Sequence, residues 1–238
     1  MMSLLVLAAA AFAATTAADP APLNQLTAAE QKAGWRLLFD GKTTAGWRGF
    51  KKPDFPKDRW VVKDGALAHI PTGAGDSQGS GDIVTTERFS DFDLRFEWRI
   101  APGANSGLKY FVTEDRDGPI AHEYQVLDDA RHPDAKVGPH RQAGAFYDVL
   151  PPAADKPLRP VGEWNESRVL VRGNHVEHWL NGRKVLEYEL GSPELKAAIA
   201  KSKFKDVAGF GTKISGHILL QDHGDEVAFR NIKITSTP

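Results

Sequence analysis

Ionisable and amide side chains recur at every second position in three short segments of the sequence. Segment 91–100 carries Arg95, Glu97 and Arg99, segment 107–112 carries Lys109, and segment 122–128 carries Glu123 and Gln125. Between them stand apolar residues: Leu94, Phe96 and Trp98, then Leu108 and Tyr110, then Tyr124 and Val126. A period of two is that of a β-strand, whose successive side chains point to opposite faces. Paired as a meander, the three segments would bury the apolar set and gather the charged set on one face. Such a face offers a carboxylate to move a proton, an ammonium to steady a developing oxyanion, and an amide to orient hydroxyl groups. A solvated outer face stitched by cross-strand ion pairs has the same pattern, and the pattern alone leaves both readings open.

A second group lies in His217-Ile218-Leu219-Leu220-Gln221-Asp222-His223-Gly224, where Gln221 and His223 share a face. A histidine at a strand end is well placed for proton transfer. His175 and His178 are three apart on a β-run and so fall on opposite faces, which excludes them as a metal pair. His132, His140, Arg131 and Arg141 sit in a segment, 129–142, placed to arch over an open sheet face. The segment 70–81, rich in Gly, Ser and Asp, is expected to line a cleft or bind calcium, without the carboxylate spacing of an EF-hand.

Absent motifs narrow the chemistry. The sequence has no phosphate-cradling glycine loop and no His-Glu-x-x-His pair. It also lacks Glu-x-Asp-x-x-Glu, the paired carboxylates of sandwich glucanases, because Gln125 and Leu127 follow Glu123 on its face.

These side chains need a frame. With 238 residues, 41% hydrophobic and 26% charged, the chain is long enough to bury a full core. Its 30 basic residues balance 31 acidic ones, so no global field favours a nucleic acid or an anionic membrane. It has no cysteine, hence no disulfide, thiolate metal site or lipidated cysteine. The apolar run Leu4 to Ala14 reads as a signal peptide over residues 1–18, followed by a flexible leader, 19–26, and a single domain, 27–238. That places the protein in the periplasm or outside the cell.

Thr27 with Glu30 forms a capping box, and Gly34 is placed to end a two-turn helix. From Trp35 the period changes to two, with β-runs at 35–39, 59–63, 82–86, 91–100, 107–112, 122–128, 143–150, 168–172, 175–180, 184–190, 217–221 and 226–235. Gly173-Asn174 and Asn181-Gly182 are hairpin turns, and Ser192-Pro193 opens a short helix with Leu195, Ala198 and Ile199 on one side. Many short strands, one or two short helices and no βαβ alternation predict an all-β fold, a two-sheet antiparallel jelly-roll sandwich.

The order of motifs resembles a known family. Gly34-Trp35-Arg36-Leu37-Leu38-Phe39-Asp40-Gly41 through Gly46-Trp47 is similar to the opening of the 3-keto-disaccharide hydrolases, a group of concanavalin A-like sandwiches. The likeness continues through Asn105-Ser106-Gly107, Glu123-Tyr124-Gln125-Val126-Leu127-Asp128, Gly144-Ala145-Phe146-Tyr147, Gly162-Glu163-Trp164-Asn165, Asn181-Gly182, Gln221-Asp222-His223-Gly224 and Phe229-Arg230-Asn231-Ile232. His217 stands where the family usually has proline, which argues against a catalytic role for it.

The resemblance implies hydrolysis of glycosides already oxidised to a ketone at sugar carbon 3. The ketone acidifies the neighbouring C2–H, so proton removal can expel the glycosidic oxygen from C1, and water then adds to the enone. Glu123 or His223 would supply the base, and Lys109 or a bound divalent metal, calcium or magnesium, would steady the enolate. Gln125, Asn105 and Asp128 would orient sugar hydroxyls, Glu97, Gln221 and Arg141 would contact the substrate, and Tyr147 or Trp47 would stack on the ring. A carbohydrate-binding module without catalysis, or a retaining glucanase with carboxylates about 5 Å apart, are the alternatives.

Overall fold

The computed structural model describes residues 22–73 and 81–237. The signal segment, the first part of the leader and most of the Gly/Ser/Asp segment lie outside the described residues.

Thr27 caps helix α1 (Ala28–Lys32): Glu30 N donates to Thr27 Oγ1 (3.1 Å) and Thr27 N donates to Glu30 Oε2 (2.9 Å). The strands follow as β1 (Arg36–Leu37), β2 (Trp47–Gly49), β3 (Trp60–Lys63), β4 (Ala66–His69), β5 (Ile83–Thr85), β6 (Phe92–Ile100), β7 (Asn105–Val112) and β8 (His122–Leu127). After two 3-10 turns, Pro133–Lys136 and Pro139–Arg141, come β9 (Asn165–Arg172), β10 (His175–Leu180) and β11 (Arg183–Glu189). Helix α2 (Pro193–Ile199), β12 (His217–Leu220) and β13 (Val227–Thr235) complete the chain.

All pairings are antiparallel and form two sheets, as the alternation predicts. The larger runs β11-β10-β9-β6-β13-β4-β3, with β1 on β13, and the smaller runs β2-β5-β12-β7-β8. Both Asn-containing hairpins form where expected, joining β9, β10 and β11.

The expected three-strand meander does not form. β6 lies between β9 and β13 in the larger sheet, while β7 and β8 pair in the smaller one. A turn through Pro102 and Gly103, with Gly103 at φ 75°, carries the chain from one sheet to the other. Glu97 therefore faces outward from the far side of the sandwich, where its carboxylate accepts from Arg230 Nε (2.7 Å) and Asn231 Nδ2 (2.5 Å). It is not a substrate contact of a site built on Lys109 and Glu123.

Two further expectations are corrected. Segment 143–150 is no strand but a turn with isolated bridges from Phe146 to Tyr124 and Leu150. The end of the leader is fixed: Asn24 is buried, its Nδ2 donates to Gly65 O (2.8 Å), and it exchanges two bonds with Asn231.

Between the sheets Trp60, Trp98, Phe92, Phe96, Phe146 and Phe229 form a dry aromatic core. Through it runs a string of buried polar groups whose direction its ends dictate. Gly211 N–H donates to His122 Nε2 (3.2 Å), so the other ring nitrogen, Nδ1, carries the proton and donates to the Tyr188 hydroxyl (3.2 Å). Tyr188 donates to Tyr110 (2.5 Å), Tyr110 to His178 Nε2 (2.9 Å), and His178 Nδ1–H to Gly144 O (3.0 Å). Every link is satisfied, which a buried polar string requires. His178 is thus a core residue and His175, on the opposite face, a surface one.

Candidate active site

On the outer face of the smaller sheet lies a cavity of about 400 Å³. Its floor is β7 and β8, where alternation sends Asn105, Gly107 and Lys109 outward beside Glu123 and Gln125. Lys109 stands directly opposite Glu123 in the register, with Nζ 3.6 Å from Glu123 Oε2 and 3.2 Å from the Pro119 carbonyl it donates to. Both residues are largely buried, at 7% and 5% exposure.

Gly107 makes room for this pair, since a Cβ there would stand 2.2 Å from Glu123 Oε1. With its amide oriented to the acceptors around it, Gln125 donates to Ser106 O (2.9 Å) and Glu123 Oε1 (3.1 Å). Gln125 thus holds the carboxylate as well as lining the cavity.

At one end of the cavity stand Asn105, Gln221 and His223. The loop bearing the last two is fastened from beneath by Asp222, which is fully buried and reaches both sheets. Its Oδ1 lies 2.8 Å from His69 Nε2 of β4 and accepts from Gly224 N (2.8 Å), while its own N–H donates to Asp82 Oδ1 (2.7 Å) at the start of β5. His69 Nδ1 donates to the Asp225 carbonyl (2.8 Å). The carboxylate fits because residue 81 is glycine, where a Cβ would come within 2.0 Å of Asp222 Oδ2.

Asp82, 1% exposed, is a group that sequence reading passed over as the start of a β-run. Burial pushes its carboxyl up to about 6, against the pull of the Lys109 charge and with a further push from Asp222 and Glu123. No residue type or spacing marks it; only its depth behind the site does.

No residue of the segment expected to arch over the sheet, 129–142, lines the cavity; Tyr147, beyond its end, does. Its hydroxyl donates to Asp134 Oδ2 (2.7 Å), and burial first, then that bond, raise its pKa and keep it protonated. Arg141 does not reach the cavity. Its guanidinium braces the segment, donating to Asp134 Oδ1 (2.6 Å) and Asp148 Oδ1 (2.5 Å), and Asp148 Oδ2 accepts Lys203 N (2.7 Å) from the segment after α2. Lys203, missed in the sequence, closes the mouth with Nζ 4.2 Å above the Tyr147 ring.

Asp128 is likewise displaced from its expected role. It accepts from Gly103 N (2.8 Å) and Arg131 Nη1 (3.2 Å) and lines a separate cavity beside Trp98 and Pro160. Trp47 is core, its Nε1 donating to Leu38 O (2.7 Å). His217 is buried away from the cavity, with Nδ1 donating to the Glu87 carbonyl (3.0 Å).

Among the described residues two groups of side chains stand close enough together to share a metal ion. Donor atoms of His132, His223 and Asp225 lie within 4.8 Å of one another beside the cavity, and so do those of His175, Glu177 and Glu187 on the far sheet. The second group is already satisfied by the His175–Glu177 bond and by Glu189, Trp179 and Lys184.

Known proteins are similar to this chain in sequence and fold. Residues 34–235 match the family model of the 3-keto-alpha-glucoside-1,2-lyase-like domain. A 3-keto-disaccharide hydrolase of Bacteroides thetaiotaomicron is 38% identical over 227 residues, spanning 84% of this chain and 78% of its own. Among solved structures, two proteins of Parabacteroides distasonis provisionally named glycosyl hydrolases superimpose with TM-scores of 0.81 and 0.65, at 32% and 26% identity. They cover 91% and 85% of this chain and 100% and 99% of their own. The match reaches from the first turn before β1 to the last residue of β13, and by it the chain belongs to the 3-keto-alpha-glucoside-1,2-lyase-like domain family.

Proposed function

We propose that this enzyme cleaves 3-keto-disaccharides and related 3-keto-glycosides by elimination followed by hydration. One observation carries the reading: among the described residues lining the cavity, Glu123 is the one carboxylate, and an ammonium stands against it. Double displacement at an unoxidised sugar needs two carboxylates about 5 Å apart. A 3-keto sugar needs a single base, because its ketone already weakens the C2–H bond.

In this reading Glu123 takes the C2 proton and the electron pair moves into the ketone, giving an enolate whose oxygen Lys109 faces. Collapse of the enolate breaks the C1–O bond, and water donates the proton that the leaving oxygen takes up. Water added across the resulting C1–C2 double bond returns the free 3-keto sugar. Asn105 and Gln221 hold ring hydroxyls and Tyr147 covers the sugar face. The apolar run Leu4 to Ala14 would export the chain to the periplasm; among the described residues no helix is long and apolar enough to cross a membrane.

Incubation with 3-keto-trehalose tests the reaction. Release of free sugar is expected, reduced on the order of 10²-fold or more in Glu123→Gln. Cleavage of unoxidised trehalose at a comparable rate, or full activity of Glu123→Gln, overturns it. Binding of the keto sugar without release would make the protein a carbohydrate-binding module instead.

A further inference from the structure

We propose that His132, His223 and Asp225 hold one divalent transition-metal ion at the end of the cavity, with open coordination positions turned toward the sugar. The three come from two elements that close on each other there. His223 and Asp225 lie on the loop after β12, and His132 on the segment after β8, with the two imidazole centroids 5.9 Å apart.

The side chains at this end are left incomplete by the protein alone. His223 Nδ1 is shielded from solvent without a hydrogen-bond partner and lies 3.9 Å from Asp225 Oδ2. Gln221 Oε1, which lines the same end, is likewise shielded and unpartnered. Buried polar atoms without partners are costly and uncommon, and a cation supplies the partner that His223 Nδ1 lacks.

The surrounding bonds orient the ligands as a metal site requires. Asn105 N donates to Asp225 Oδ2 (2.9 Å), His69 Nδ1 donates to Asp225 O (2.8 Å), and Asp222 fastens the loop between the sheets. Two imidazoles and one carboxylate form a ligand set suited to manganese, iron, cobalt or zinc. Calcium and magnesium favour oxygen ligands, so these donors suit a transition metal better than either ion.

His132 is the member that must move. Its Nδ1 accepts Asp134 N–H (3.1 Å) and caps the first 3-10 turn, so coordination through Nε2 makes the ring give up that cap. Metal–nitrogen bonds of about 2.1 Å also draw the donors closer than they now stand. Loading should therefore shift the start of the segment that carries Tyr147. The further expectation, that neighbouring oxygens of a hydroxy ketone complete the coordination, rests on the proposed function; the ion site does not.

The test is calorimetric titration of the full chain, stripped with chelator, with Mn²⁺ and then Zn²⁺, in the absence of sugar. One equivalent is expected to bind, with affinity at least tenfold weaker in His223→Ala and Asp225→Asn and unchanged in His175→Ala. Near-ultraviolet circular dichroism checks that the variants fold, and His132→Ala, on an outer segment, repeats the test if either does not. No binding by the wild-type chain, binding retained in these variants, or loss confined to His175→Ala each overturns the site. Because no substrate is present, failure here is distinct from failure of the keto-sugar reaction.

Discussion

At position 107 the absence of a side chain leaves the space that the Glu123 carboxylate occupies. Gly107→Ala would press a methyl group against the flexible end of that side chain rather than against backbone. The carboxylate can yield, so the melting temperature is expected to change by only a few degrees. With Glu123 as the base proposed above, its displacement by an ångström should lower kcat on the order of 10²-fold, and kinetics beside a thermal melt read both quantities. Single residues were unevenly legible in the sequence. Lys109, Glu123 and Gln125 were readable because alternation alone sends them to one face. Glu97 has the same alternation and lies on the other side of the molecule, since a period specifies the face of a strand and not the sheet it joins. Arg141 and Asp128 have the right chemistry but spend it on Asp134, Asp148 and backbone amides, which only coordinates reveal. Lys203 carries no sequence signal, because it reaches the mouth by the path of a loop.

Local signals account for the elements that form as expected. The capping box, both Asn-containing hairpins and the Ser-Pro helix start are each specified by a few adjacent residues. β2 and β4 escaped notice because strands of three or four residues are too short to show a period. The buried string from His122 to His178 was invisible for another reason: its members are spread over four strands, β7, β8, β10 and β11, and meet only when the sheets stack. Its integrity is testable. Tyr110→Phe removes the donor to His178 Nε2 and the acceptor for Tyr188 and should cost about 1–3 kcal/mol, more than an exposed hydroxyl would. Urea unfolding with a lowered midpoint and an unchanged slope is the expected result.

Over the whole molecule, the same string sets how stability responds to acid. Burial, and for His122 the neighbouring charges of His178 and Arg116, hold His122 down at about 3, and burial holds His178 at about 4. An unfolded histidine titrates near 6.5, so below that pH the unfolded chain takes up protons that the folded chain refuses. Each of the two should lower stability by about 1.4 kcal/mol per pH unit as pH falls from 6.5 toward 5. Asp82 acts in the opposite sense. Raised to about 6, it keeps in the folded chain a proton that the unfolded carboxyl has lost, which favours folding as pH falls through 6. Thermal melts at pH 7 and pH 5 should therefore show acid destabilisation in the wild type and a steeper loss in Asp82→Asn. The two-sheet plan was legible from the alternation and turn chemistry, whereas the division of strands between the sheets depends on long-range pairing. That division has a consequence for divergence within such a scaffold. Lys109 and Glu123 on the cavity floor are anchored in ladder-bonded strands, while Ile120, Tyr147, Lys203 and Phe204 project from connecting segments around them. Grafting of those connections between relatives is expected to change what the cavity accommodates without disturbing the Lys109–Glu123 pair.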